Sequence, residues 1–287
     1  MGEIIYRTYD QAGLDAQLNN RERVPTFQSY FDRWRDNSDE AAASHELRHD
    51  IPYGPSPGER LDLFPAMSER LSPLLAFIHG GWWQNLDKAD FLFPAPAFLE
   101  NGIAFASINY DLAPKASVPE ISEQVRRAIA WLSRNALDHG IDPDRIYIAG
   151  HSAGGHLASC CFTADWTAYG FSDFPFRGGV SISGIYDLTP LPLSYQQPVL
   201  KLTEEAVANY SPRFNIPRNA PPLICAVGGE ESEEFLDQQA EFTADWREAG
   251  LALSEIPLPG RDHFSAVDAL AEKRHALQEA LLNMILE

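Results

Sequence analysis

Arg145-Ile146-Tyr147-Ile148-Ala149-Gly150-His151-Ser152-Ala153-Gly154-Gly155 decides how this chain folds. Ile146 to Ala149 is apolar without interruption, as a strand buried on both faces must be. It runs straight into Gly150-x-Ser152-x-Gly154, and the residues that follow, Ala153 to Thr163, read as a helix. A buried strand, a sharp turn carrying serine, and a helix together form the context in which G-x-S-x-G is a nucleophile elbow. Glycines are needed at 150 and 154 because a β-carbon flanking so tight a turn would strike neighbouring backbone, while the serine hydroxyl must stand clear of the sheet.

The same alternation extends in both directions. Upstream, Leu74 to Ile78 reads as a buried parallel strand that ends at His79-Gly80-Gly81, and Ile103 to Ile108 reads as a second. Ile121, Val125, Ile129 and Leu132 then recur at helical steps within a helix from about Pro119 to Leu137, placing one apolar stripe on the sheet. Downstream, Gly179–Ser183, Leu223–Val227 and Leu253–Leu258 are further strands. The pattern predicts an α/β fold with a mostly parallel central sheet and helices on both faces. At 287 residues the chain is expected to form one domain. Residues 1–57 read as an N-terminal helical segment with Tyr30, Phe31 and Trp34 at helix-like spacing, and a final helix is expected over about Ala266 to Leu286. Residues 188–222, rich in proline and polar residues, are expected to form a cap over the carboxyl ends of the strands, the edge at which open α/β sheets bind ligands.

Composition narrows the partners. Acidic residues outnumber Lys and Arg by 41 to 22, a formal charge of −19, so a nucleic-acid partner is not expected and a small molecule is. No apolar run approaches the roughly 18 residues of a membrane span, and Met1–Asp10 lacks the apolar core of a signal peptide. Cys160, Cys161 and Cys225 are an odd number, with two adjacent on the helix behind Ser152, which suits buried thiols and a cytoplasmic setting better than disulfides.

A serine hydroxyl is a weak nucleophile at neutral pH; it needs a base, and the base needs an acid to orient it. After an elbow the usual chain order is Ser, then Asp or Glu beyond a later strand, then His near the C-terminus. Of the later histidines, His156 lies on the elbow helix and His275 in the final helix, whereas His263 sits in the loop after the last strand and is the expected base. For the acid, the loop after Val227 offers Glu230, Glu231, Glu233 and Glu234. Acyl transfer also needs donors aimed at the developing oxyanion. The backbone N–H of Ala153 and those of Gly81 and Trp82, in the loop beginning at His79, are the candidates, with His79 itself bracing the loop. His45-Glu46-Leu47-Arg48-His49 matches the zinc motif H-E-x-x-H, but that motif requires a helix and this stretch reads as the approach to a first strand. Neither a metal nor a cofactor is expected.

Taken together, Ile78-His79-Gly80-Gly81-Trp82-Trp83-Gln84, Tyr110-Asp111-Leu112-Ala113-Pro114-Lys115, Gly150 to Leu157, Ser183-Gly184-Ile185-Tyr186-Asp187-Leu188 and Asp262-His263-Phe264 resemble the kynurenine formamidase (arylformamidase) branch of the α/β-hydrolase superfamily, related to hormone-sensitive-lipase-like esterases. The resemblance covers most of the chain from about Leu61 and implies the α/β-hydrolase fold. It places the triad acid at Glu231, where those formamidases usually have Asp, with Glu230 as its rival. The activity implied is hydrolysis of an N-formyl arylamine such as N-formylkynurenine through a formyl-enzyme. A general short-chain carboxylesterase with the same triad is the alternative, and a non-catalytic binding protein of the same fold a remoter one. Trp82 and Trp83 are expected to crowd the acyl group, and Tyr186 and Phe264 to flank an aromatic leaving group.

Overall fold

A computed structural model describes residues 2–67 and 70–287. Eight strands, β1 (Arg48–Pro52), β2 (Arg60–Phe64), β3 (Ser72–Ile78), β4 (Ala104–Ile108), β5 (Ile141–His151), β6 (Gly178–Ile182), β7 (Leu223–Gly228) and β8 (Leu253–Leu258), form one sheet in the order β1-β2-β4-β3-β5-β6-β7-β8. β3 to β8 pair in parallel, and β2 is antiparallel to both of its neighbours. The helices are α1 (Gln11–Leu18), α2 (Asn20–Arg23), α3 (Phe27–Ser44), α4 (Ala95–Leu99), α5 (Val118–Asn135), α6 (Ala153–Phe162), α7 (Gln197–Leu200), α8 (Glu204–Tyr210), α9 (Glu233–Glu248) and α10 (Ala276–Leu286).

The sheet is covered on both faces, as the uninterrupted apolar strands require. Leu74, Ala76 and Ile78 of β3 join Ile121, Val125 and Ile129 of α5, Leu157 of α6 and Phe242 of α9 in one core. Leu75 and Phe77, pointing the opposite way, join Trp34 of α3, Phe98 of α4 and Leu281 of α10 in the other. α5 begins with a capping box, Ser117 and Glu120 each satisfying the other's backbone N–H, and this fixes its entry onto the sheet.

Three sequence expectations need correction. The segment 1–57 is not helical throughout, because β1 lies within it; it is an edge strand with little buried surface. β2 escaped the reading because Asp62 interrupts Leu61 and Leu63, yet this carboxylate is buried and held at 3.0 Å by Lys88 Nζ. The expected helix over 266–286 is instead a 3-10 turn, Val267–Leu270, followed by α10. His275 is not inside a helix but caps α10, its Nδ1 accepting the Leu277 N–H at 3.1 Å. Residues 188–222 hold α7, α8 and short 3-10 turns. Among the described residues no helix is long and apolar enough to cross a membrane.

Candidate active site

β5 ends at His151 and α6 begins at Ala153, leaving Ser152 alone in the turn at φ 59° and ψ −123°. A side chain in this sparsely populated region is strained, and the surroundings enforce it. A β-carbon at Gly150 would stand 2.0 Å from the Gly154 carbonyl oxygen, and one at Gly154 would stand 2.0 Å from that of Ile78. The Ser152 N–H donates to the Ile182 carbonyl at 2.9 Å, tying the turn to β6.

His263, in the loop after β8, places Nε2 2.9 Å from Ser152 Oγ. Its Nδ1–H donates to Glu231 Oε2 at 2.6 Å, so the neutral ring has Nε2 free to accept the serine proton. Glu231 stands in the short turn between β7 and α9, fully enclosed. Its Oε1 accepts the Gly228 N–H at 2.8 Å and the Ser183 hydroxyl. Glu230 is exposed, Glu233 opens α9 facing solvent, and Glu234 turns to Arg7 at 3.1 Å. Among these glutamates it is Glu231 that reaches His263.

Backbone braces complete the arrangement. Arg23 of α2 donates to the Glu231 carbonyl at 3.2 Å, and the His151 Nε2–H donates to the His263 carbonyl at 2.8 Å. Burial, reinforced by His263, pushes the His151 imidazole down to about 3, so it braces the base without adding charge beside it. His151 was not legible as a participant because its partner is a backbone carbonyl 112 residues away.

The loop after β3 turns on residues with positive φ: Gly81 at 106°, Trp82 at 54° and Trp83 at 57°. At Gly81 a β-carbon would lie 2.1 Å from the Asn85 carbonyl oxygen. Ala153 is the first residue of α6, where an amide has no intrahelical acceptor. His79 is buried, with its Nδ1–H on the Gly80 carbonyl at 2.8 Å and its ring stacked 4.2 Å from that of Tyr110, as a brace of the loop would be.

Ser152, His263 and His151 open into a cavity of about 30 Å3, also walled by Phe31, Trp34, Gly81, Trp82, Leu86, Phe264, Asn20 and Arg21. Trp82 and Phe264 are among its walls. Trp83 and Tyr186 are not. Trp83 is wholly buried with its ring edge-on to His156 at 5.0 Å, and Tyr186 is stacked 4.3 Å from Phe242 with its hydroxyl 2.9 Å from Ser181 Oγ. A tyrosine whose hydroxyl finds a partner inside the core has no need of a pocket. Their place is taken by Phe31 and Trp34 of α3. The signal was present, since Phe27, Tyr30, Phe31 and Trp34 share one helix face, but periodicity does not say against what a face packs. Here they surround Phe264, with centroids 5.6 to 6.3 Å from it.

A second cleft of about 420 Å3 adjoins the first, with Trp82 and Arg21 in both walls and Tyr195 and Gln196, from the segment 188–222, on its far side. Elsewhere, Cys160, Cys161 and Cys225 are free and buried, and burial raises the Cys160 thiol to about 12, far from a nucleophile's range. His45 is the extended residue that caps the end of α3 and His49 lies in β1, so the two histidines of H-E-x-x-H do not share a helical turn. No group of three or more His, Cys, Asp or Glu side chains able to hold a metal ion occurs among the described residues.

Comparison with known proteins gives consistent relatives. The family model BD-FAE matches residues 61–173. A kynurenine formamidase of Danio rerio is 34% identical over 242 residues, covering 82% of this chain and 81% of that protein. One of Salmo salar is 31% identical with the same coverage, 82% and 81%. Among solved structures, a candidate thioesterase of Silicibacter sp. TM1040 superposes with a TM-score of 0.82 at 28% identity, covering 96% of this chain and 99% of that one.

Proposed function

Because the chain belongs to the α/β-hydrolase esterase family and to its kynurenine formamidase-like branch, we propose that it hydrolyses N-formyl arylamines such as N-formylkynurenine. Ser152 Oγ attacks the formyl carbon while His263 Nε2 takes its proton, and Glu231 holds the imidazole in the required tautomer and stabilises the imidazolium. The amides of Gly81, Trp82 and Ala153 receive the oxyanion, each such donor contributing about 2.7–4 kcal/mol in enzymes of this type. His263 then protonates the leaving arylamine, and water repeats the sequence on the formyl-enzyme to release formate. Turnover needs no metal or cofactor. The segment 188–222 acts as a cap on a single catalytic domain, and three free, buried thiols suit a reducing cytoplasm.

The observation that carries the substrate reading is the size of the space over Ser152. About 30 Å3 holds on the order of two waters, enough for a formyl or acetyl group, and aromatic rings bound it. Trp82, which stands in both walls, and Phe27 of the second cleft offer apolar area to an aryl group directed outward from Ser152. The test is a panel of N-formylkynurenine against short and long p-nitrophenyl esters. Formamide turnover with a preference for the shortest acyl groups is expected; ester hydrolysis that rises with acyl length, without formamide cleavage, would replace this reading by a general carboxylesterase using the same residues. The observation that favours the carboxylesterase reading is the similarity to the esterase LipQ of Mycobacterium tuberculosis, 32% identical over 78% of this chain and 59% of that protein.

A further inference from the structure

We propose that Asn20 reads the scissile N–H of the substrate, its Oδ1 accepting that hydrogen as the amide bond breaks, and so favours amides over esters. The assignment rests on the formamide reading above. Asn20 opens α2, is only 3% exposed and walls the cavity at Ser152. Its side-chain amide makes no hydrogen bond with any described residue, and Nδ2 is enclosed by protein, which leaves Oδ1 to face the cavity. A carboxamide buried without a partner costs stability, and in the wall of a reaction cavity the missing partner is a ligand.

Two contacts place Asn20 beside the leaving group. Arg23, three positions on and on the same face of α2, donates to the Glu231 carbonyl at 3.2 Å, and Glu231 holds His263. α2 therefore lies on the side of the base, and the leaving group must lie there too, because His263 Nε2 protonates it. His151 is the other wall of this cavity with an unpartnered buried polar atom, Nδ1. That nitrogen faces the loop after β3, since a β-carbon at Gly80 would stand 3.5 Å from it. Of the two, Asn20 is the one on the leaving-group side.

The chemistry supplies the selectivity. Attack by Ser152 Oγ on the carbonyl carbon makes the amide nitrogen pyramidal. Its lone pair must then meet His263 Nε2–H to take the proton as the C–N bond breaks, which turns the substrate N–H aside toward the cavity wall. Asn20 Oδ1 accepts it there, and the amine leaves with its original hydrogen and the proton from His263. An ester oxygen carries no hydrogen, so the contact is available to amides alone.

Formanilide and phenyl acetate test the assignment. Asn20→Leu, similar in size but without polar atoms, should lower the ratio of kcat/KM for formanilide to that for phenyl acetate by about tenfold. Asn20→Ala gives the same comparison should leucine not fit. An unchanged ratio would overturn the assignment. If the unaltered protein leaves formanilide uncleaved, the formamide reading falls, and Asn20 is decided instead by inhibition of phenyl acetate hydrolysis. Acetanilide and phenylacetone differ by N–H against CH2. Asn20→Leu should weaken acetanilide relative to phenylacetone by about threefold or more, and an unchanged ratio of inhibition constants would again overturn the assignment.

Discussion

Glu231→Gln should lower kcat by about 10³- to 10⁴-fold while Glu230→Gln stays within about threefold of the unaltered protein. The contrast can be worked from three hydrogen bonds. Glu231 Oε2 faces His263 Nδ1 at 2.6 Å, while Oε1 accepts the Gly228 N–H at 2.8 Å and the Ser183 hydroxyl. The hydroxyl can rotate to suit an amide, but the Gly228 N–H cannot. Glutamine must therefore keep its oxygen toward Gly228, which turns its NH2 toward His263 and forces the proton onto Nε2, where it blocks acceptance from Ser152. The flipped amide would set two donors against each other at Gly228 at a cost of about 1–3 kcal/mol, so that on the order of 1–15% of molecules would keep the working tautomer. That alone is a loss of about 10- to 100-fold, and the uncompensated imidazolium supplies the rest, for a total of about 4–5 kcal/mol. Glu230 is exposed and its backbone N–H donates to the Arg261 carbonyl, a contact that the amide substitution leaves in place. Steady-state hydrolysis of p-nitrophenyl acetate at pH 7.5, with thermal melting to confirm folding, is the assay. A Glu231→Gln variant within tenfold of the unaltered protein, or an equal loss for Glu230→Gln, would refute the argument.

Ser152→Ala should abolish turnover without unfolding the chain, and a serine-directed organophosphate should do the same where EDTA does not; the reverse pattern would point to metal chemistry. Because Ser152 is held at φ 59°, Ser152→Gly should melt later than Ser152→Ala, by about 1 kcal/mol of relieved strain, and equal stabilities would show that the elbow stores none. Phe31→Ala should raise kcat/KM for butyryl relative to acetyl esters by opening the wall of the inner cavity; an unchanged ratio would move the acyl site elsewhere. Stability should fall on acidification, because burial holds His151 down to about 3 and His156 down to about 4, whereas both take up protons near 6.5 once unfolded. The loss therefore begins below pH 6.5 and runs to about pH 4 and 3, reaching about 2 kcal/mol for each imidazole by pH 5. Urea denaturation at pH 7 and 5 measures it, and a midpoint that does not move would contradict the burial argument.

What the sequence determined by itself is what local pattern and chain order can encode. The largely apolar runs that became β3 to β7 announced strands buried on two faces, and Gly150 and Gly154 announced the turn because nothing larger fits beside the Gly154 and Ile78 carbonyls. His263 followed from its place after the last strand. Position in a fold's order can be read along a line of residues; contact across space cannot. Resemblance put the triad acid at Glu231 with Glu230 as its rival, but neighbouring glutamates are chemically alike, and only the tertiary structure shows which way the turn after β7 points each of them. It decided that Asp62 lies inside a strand, because its charge is met by Lys88, 26 positions away. It also decided the pocket. Trp83 and Tyr186 have the chemistry of pocket walls but are drawn into the core by His156, Phe242 and Ser181, while Phe31 and Trp34 arrive from α3, over a hundred positions before Ser152. An aromatic stripe states that a helix face will be buried, and only the packing of the whole chain states whether it meets a core or encloses a substrate.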